Sequence, residues 1–250
     1  MKVKIALLVV FVYFGTLVIN LPAAVVVQWM PASAAKVSDV SGSIWQGKAK
    51  QVEINNKVTL RDVKWDIQVM SLLSATLESD VSFNNGPQAM SGEAIVKYSI
   101  SSGVSASNLM LDITSQELLT FLPMRLPVNI SGDFSVAIKE FKQGAPYCEQ
   151  LDGVVIWNNA YIYSQMGNID LAAPSIDLRC DEGNLSAFVT QNSDQLTTTL
   201  DVRLNEGDKY ELNGEIKGTD KLAPSIAKSL TWVGPVNDSG ATTISFKGQL

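Results

Sequence analysis

Val63-Lys64-Trp65-Asp66-Ile67-Gln68-Val69 places an apolar residue at every second position with a polar one between. Side chains alternate between the two faces of a β-strand, so this stretch reads as a strand with one apolar face. The same period runs through Leu109, Leu111 and Ile113; through Val128, Ile130, Phe134, Val136 and Ile138; through Leu200, Val202 and Leu204; and through Tyr210, Leu212 and Ile216. Just upstream, between Leu60 and Val63, the phase slips around Arg61-Asp62, which predicts a bulge or tight turn. Asn84-Asn85-Gly86-Pro87, Asp181-Glu182-Gly183-Asn184 and Asn205-Glu206-Gly207-Asp208 are turn signals at hairpin spacing, so the strands should run mainly antiparallel.

Only two segments downstream of residue 35 read as helical: 115–122, with Leu118, Leu119 and Leu122 on one face, and 220–230, with Pro224 near its start and Ile226 and Leu230 inward. Each is followed by a matching hexapeptide, Pro127-Val128-Asn129-Ile130-Ser131-Gly132 and Pro235-Val236-Asn237-Asp238-Ser239-Gly240, identical at five of six positions and 108 residues apart. Upstream, Val40, Gly42, Trp45 and Ala49 are echoed by Leu151, Gly153, Trp157 and Ala160 at an offset of 111 to 112 residues. These echoes predict an internal duplication with halves at 36–142 and 143–250. The expected fold is mainly β: an N-terminal transmembrane helix, then a long, twisted and curved antiparallel sheet of two duplicated halves, each with one short helix.

The first 35 residues differ from the rest. Lys2 and Lys4 precede an apolar run from Ile5 to Leu21, and no further charge occurs before Lys36. At about 1.5 Å per residue a helix continued to Gln28 would reach roughly 36 Å, enough to cross a bilayer core of about 30 Å. Residues 1–35 are therefore expected to form a cytoplasmic tip, a membrane anchor over 5–28 and a juxtamembrane segment, with Trp29 at the interface. Ala32-Ser33-Ala34 supports a rival reading as a cleaved signal peptide. Either way the remainder is exported, and Cys148 and Cys180, the only cysteines, are then expected to pair; two unrelated buried thiols are the alternative.

Composition narrows the function. The 250 residues contain no histidine, which removes the commonest general base and metal ligand along with Ser-His and Cys-His nucleophile pairs. With 19 basic and 25 acidic residues the net charge is −6, a poor match for nucleic acid. There is no Walker A sequence, Cys-x-x-Cys or Gly-x-Ser-x-Gly, so no catalytic residue and no cofactor are expected. Asp62 with Asp66, and Asp181 with Glu182, read as solvated carboxylates rather than an acid/base pair, and Glu78, Asp80 and Glu93 lack a calcium-loop register, so no metal is expected either. Gly42-x-x-Trp45-x-Gly47 and Gly153 with Trp157 read as structural motifs in which an aromatic ring covers backbone exposed by glycine. Asn129, Asn184 and Asn237 fit the glycosylation pattern but read as turn residues.

The basic N-terminus and apolar span into Leu21-Pro22-Ala23, the run from Val40 through Trp45 and Gly47 to Ala49, Val63-Lys64-Trp65, Cys148 with Gly153 and Trp157, Cys180 before Gly183, and Phe246-Lys247-Gly248 near the end together resemble the protein N family of the bacterial type II secretion system over essentially the whole chain. The resemblance implies a single-pass inner-membrane protein with a periplasmic domain and no catalytic residues. Its implied partners are other secretion components, the inner-membrane platform and the secretin among them. A weaker resemblance to AsmA-type periplasmic β-groove modules implies lipid binding or transfer as the alternative. A groove lined by apolar side chains would favour lipid, and an exposed strand edge would favour protein partners.

Overall fold

A computed structural model of the chain describes residues 13, 15–29, 35–54, 58–121 and 127–249. Fourteen strands form one antiparallel sheet whose hydrogen-bonded neighbours follow chain order, apart from one strand that branches off. The chain divides into two compact units, residues 1–85 with 95–100, and residues 86–94 with 101–250.

In the first unit, β1 (Ala35–Gly42), β2 (Gln46–Ile54), β3 (Val58–Ile67) and β4 (Thr76–Asn84) pair in order. The phase slip at Arg61-Asp62 belongs to three strands at once. Val37 pairs with Val52 and Val52 with Leu60; Val40 pairs with Ala49 and Ala49 with Val63. Between these two covered rows each strand exposes two consecutive residues: Ser38-Asp39, Lys50-Gln51 and Arg61-Asp62. Asp39 and Asp62 take φ of 52° and 47° there, so both outer strands twist back into phase without inserting a residue. Aspartate tolerates this left-handed conformation better than most residues, which is why the slip is written with Asp.

The described part of the apolar N-terminal segment is not one helix through residue 28. Residues 15–19 are helical, a turn falls at Asn20, and Pro22 bridges to Ser43 before a short helix, Ala23–Val27, packs on β1. Proline has no N–H to continue the helical ladder and pushes its predecessor toward extended backbone, so the helix breaks at Leu21-Pro22. The Leu21 carbonyl instead accepts from the Ile44 N–H at 3.0 Å. No helix among the described residues is long and apolar enough to cross a membrane, and residues 5–12 and 14 of the expected anchor lie outside the described residues.

In the second unit the strands are β6 (Gly103–Thr114), β7 (Asn129–Gln143), β8 (Cys148–Ser164), β9 (Gly167–Ala172), β10 (Ser175–Asp181), β11 (Asn184–Asn192), β12 (Leu196–Asn205), β13 (Lys209–Gly218) and β14 (Thr242–Gln249). Strand β5 (Ser91–Ser99) is divided between the two units. The seventeen-residue β8 is long enough for two partners on one side: β10 pairs with 152–156 and β9 with 160–164. The helix Pro224–Val233 has Pro at its first turn, where the missing N–H costs nothing. It closes a small core in which Leu196, Leu222 and Ile226 are buried, with Ile169, Leu171, Ile216 and Leu230 against them. Ile226 and Leu230 thus face inward as their spacing predicts. The other expected helix spans Ser115–Phe121, with Leu118 and Leu119 half-buried, while Leu122 lies outside the described residues.

The two matching hexapeptides both follow a helix, but in different registers. Asn129 to Gly132 form the start of β7, whereas Asn237 to Gly240 form a turn before β14 in which the Asn237 Oδ1 accepts from the Ser239 and Ala241 N–H groups. Of the three sequon asparagines only Asn237 is therefore a turn residue; Asn129 and Asn184 are the first residues of β7 and β11.

Candidate functional site

The most specific side-chain arrangements hold strands together. Gly47 pairs with Trp65 on β3, and a Cβ at Gly47 would stand 2.4 Å from the Trp65 ring. The ring covers the glycine and donates its Nε1–H to the Ile44 carbonyl at 3.1 Å. So the glycine in Gly42-x-x-Trp45-x-Gly47 is covered by an aromatic, but by Trp65 across the hairpin. Trp45 itself donates its Nε1–H to the Val18 carbonyl at 2.9 Å, 27 residues back. Counting outward from the Asn55-Asn56-Lys57 turn signal would have paired Gly47 with Trp65. Gly42, at φ 93°, lies against Gln46 and Gly47 at the hairpin end.

In the second unit Trp157 stacks on Phe134, its cross-strand partner, at 5.0 Å and 15°. Its Nε1–H donates to the Ser131 carbonyl at 3.0 Å, over Gly132 at the β7 bulge. Gly153 does not lie beneath Trp157; it pairs with Ile138, whose Cγ1 would be 3.0 Å from an added Cβ. Gly42 with Trp45 and Gly153 with Trp157 therefore resolve into separate contacts, joined only by proximity along the chain.

Cys148 and Cys180 form a disulfide with an S–S distance of 2.08 Å and a Cα–Cα distance of 6.1 Å. Pairing of β8 with β10 brings them together, with β9 intervening in sequence. Beside them Tyr147, which no motif singled out, accepts from the Asp208 N–H at 3.0 Å and has the Asp208 carboxylate and the Asn205 carbonyl within hydrogen-bond reach. Loss of water around the hydroxyl is the main cause that pushes its pKa above the ordinary tyrosine value. The disulfide and this hydroxyl tie the entry to β8, the β10–β11 turn and the β12–β13 turn into one end of the unit.

Among the carboxylates singled out by sequence, Asp66, Asp80 and Glu78 face partners across the sheet. Asp66 accepts from the Gln46 amide at 2.9 Å, Asp80 from Gln68 at 3.0 Å, and Glu78 pairs with Lys97 at 3.2 Å. Among the described residues no three His, Cys, Asp or Glu converge as a metal site would require. One carboxylate is shifted. The Tyr161 hydroxyl donates to Asp170 at 2.7 Å and the Ala172 N–H donates to its other oxygen at 2.8 Å. The tyrosine bond first, and the backbone bond second, hold Asp170 below the usual carboxylate range, and the same bond raises Tyr161. Ala172 has φ 59°, so the carboxylate clamps a left-handed residue at the end of β9.

Asp170 contributes stability that is present above the ordinary carboxylate pKa and is lost as pH falls through the depressed value; the Tyr161 contribution is present below the ordinary tyrosine pKa and is lost as pH rises through the raised value. Asp170→Ala is expected to bring the Tyr161 titration back toward about 10. Ultraviolet difference titration, with Tyr161→Phe to assign the signal, measures this, and an unmoved midpoint would refute the pairing.

The sheet ends at two strands. β1 is backed by the Ala23–Val27 helix. At β14 the segment 235–237 covers only the beginning: the Thr243 N–H donates to the Pro235 carbonyl at 2.9 Å and the Asn237 N–H to the Ala241 carbonyl at 2.8 Å. In an antiparallel strand the N–H and C=O of a residue point to the same side and alternate along the chain. With Thr243 turned away from β13 and no register shift following, Ser245 and Lys247 also turn their backbone groups away from it. Their side chains meet Asn213 and Glu211 across the ladder at 2.8 Å each. Such close cross-strand contacts suit positions that do not exchange backbone bonds.

Fold, disulfide and strand edge together define a disulfide-bonded antiparallel β-sheet protein consistent with an oxidising cell envelope. The model of the type II secretion system protein N family matches residues 33–245, and the chain belongs to that family. It is 27% identical to the type II secretion system protein N of Vibrio cholerae, over 96% of this chain and 95% of that one. With the Aeromonas hydrophila protein of the same name it shares 25% identity over 100% and 99% of the two chains, and with that of Pectobacterium carotovorum 26% over 86% and 84%. No solved structure gives a significant match. The chain is thus a component of the type II apparatus for protein export, and its family implies other components of that apparatus as partners.

Proposed function

We propose that the chain is a non-catalytic subunit held in the inner membrane by the part of the apolar segment that precedes Pro22, with its β-sheet in the periplasm, where it supports export of folded proteins by holding neighbouring secretion components. Lys2 and Lys4 at one end of an uncharged run and the disulfide well downstream of the other end support this orientation. In support of duplicated halves at 36–142 and 143–250, each contains seven strands with a helix between the sixth and the seventh. Gly42 and Trp45, like Gly153 and Trp157, serve on this reading as packing motifs.

The observation that carries the contact role is the outer edge of β14. Unpaired backbone groups along a strand recruit a further strand with little side-chain demand, and here the single edge charge, Lys247, is engaged by Glu211. Ser245→Pro and Lys247→Pro each remove one outward N–H while sparing the bonds to β13. At about 1 to 1.5 kcal/mol per hydrogen bond lost, the double variant is expected to weaken partner capture by about tenfold or more. Site-specific crosslinking from β14, read beside extracellular levels of exported enzymes, measures the effect. Undiminished crosslinks and secretion in a folded double variant would exclude this edge. Normal secretion with crosslinks only to lipid would favour the AsmA-like reading.

A further inference from the structure

Four of the six residues in the 3₁₀ turn Val69–Ser74 are aliphatic, and all four face outward: Val69 is 50% exposed, Met70 79%, Leu72 41% and Leu73 87%. No charge occurs from Ile67 through Leu77. A water-facing loop normally turns polar groups outward, whereas here they are consumed internally. The Ser71 hydroxyl donates to the Gln68 carbonyl at 2.6 Å and accepts from the Glu78 N–H; the Ser74 hydroxyl donates to the Ser71 carbonyl at 2.7 Å; and the Gln68 amide donates to Asp80. Apolar side chains outside and polar side chains already bonded to the protein are what a hydrocarbon boundary demands of backbone that enters it.

Position points to the same surroundings. Val69 and Leu72 share an open recess of about 630 Å³ with Gly15, Val18, Ile19 and Trp45, so the turn lies beside the helical part of the apolar N-terminal segment. Trp45 holds that helix through the Val18 carbonyl, and Ile44 holds Leu21. Val18 and Ile19 are themselves 50% and 64% exposed, extending one apolar surface from the helix onto the turn.

We infer that the Val69–Ser74 turn is a second membrane contact, inserting Met70 and Leu73 into the boundary between headgroups and acyl chains beside the anchor. This rests on the anchored reading above. Two attachment points would fix the tilt of the first unit against the bilayer, where a single helix ending at a proline break would leave it free to swivel.

The test uses the full chain in vesicles of phosphatidylethanolamine and phosphatidylglycerol. Leu73→Cys is labelled with an environment-sensitive fluorophore; Cys148 and Cys180 are already paired and do not compete. Met70→Cys is a second site should the first disturb folding, and Lys50→Cys, on exposed β2, is the control. Spin-labelled lipids are expected to quench the label at 73 or 70 by about twofold or more and to leave that at 50 unchanged, with aqueous iodide giving the reverse order. A label at 73 and 70 open to iodide and untouched by lipid, on chains that alkaline carbonate leaves in the vesicles, overturns the second contact and keeps the anchor. Chains released by carbonate with both labels unquenched overturn the anchor as well.

Discussion

Cys148→Ser with Cys180→Ser is expected to lower stability by about 3 to 4 kcal/mol, since the bridge closes a loop with a sequence separation of 32 residues and that loop's closure entropy returns to the unfolded chain. For a chain of this size the shift in Tm is about 6 to 16 °C. The local structure adds to the cost. Cys148 is 1% exposed, and its neighbour Tyr147 anchors the β12–β13 turn through Asp208. Loosening one end of the staple therefore releases two turns that otherwise share it. Thermal unfolding of the oxidised protein against the double serine variant measures the loss, and a change below about 1 kcal/mol would show that the strand ladder alone holds this end.

Gly132→Ala is expected to cost about 2 to 4 kcal/mol, from two sources that act together. Gly132 has φ 111°, a conformation closed to residues with a side chain, and its added Cβ would stand 2.4 Å and 2.6 Å from the carbonyl oxygens of Asn158 and Asn159. Both neighbours are backbone in the facing strand, so relief requires moving β8, which also carries Trp157 and its stack on Phe134. The gain from a stiffer unfolded chain, at most about 1 kcal/mol, is outweighed. Gly207→Ala separates the two sources: Gly207 also has positive φ, 78°, but nothing lies within 4 Å of an added Cβ. Its cost should be about 1 kcal/mol, and equal losses at the two sites would mean that the approach to β8 contributes nothing.

Period-2 alternation was enough to identify β3, β6, β7, β12 and β13, because it depends only on which residues a two-faced sheet can cover. The pairing of Cys148 with Cys180 was legible more simply: two cysteines leave one possible bridge within the chain. The slip at Arg61-Asp62 was visible too, though not its extent. That Val37 and Val40, and Val52 and Ala49, slip with it follows only from the pairing register. Which tryptophan covers which glycine was equally out of reach for the motif. Trp45 is two residues from Gly47 in sequence, yet it lies in the bend before β2, and the ring over Gly47 is that of Trp65 on the neighbouring strand.

The apolar composition of residues 5–28 specified a segment that avoids water, but not where its helix stops. That was decided at Pro22, whose bridge to Ser43 exists only once the β1–β2 hairpin is in place. The outward display of Met70 and Leu73 was out of reach for another reason. Read linearly, Val69 to Ser74 continues the apolar face of β3, whereas β3 ends at Ile67 and the next residues turn, with Ser71 and Ser74 bonded to backbone three residues before them. By itself, then, the sequence determined a mainly β fold, the disulfide and the family. Tertiary structure alone decided register, the covering of each glycine and the open edge at β14, because each depends on a partner distant along the chain.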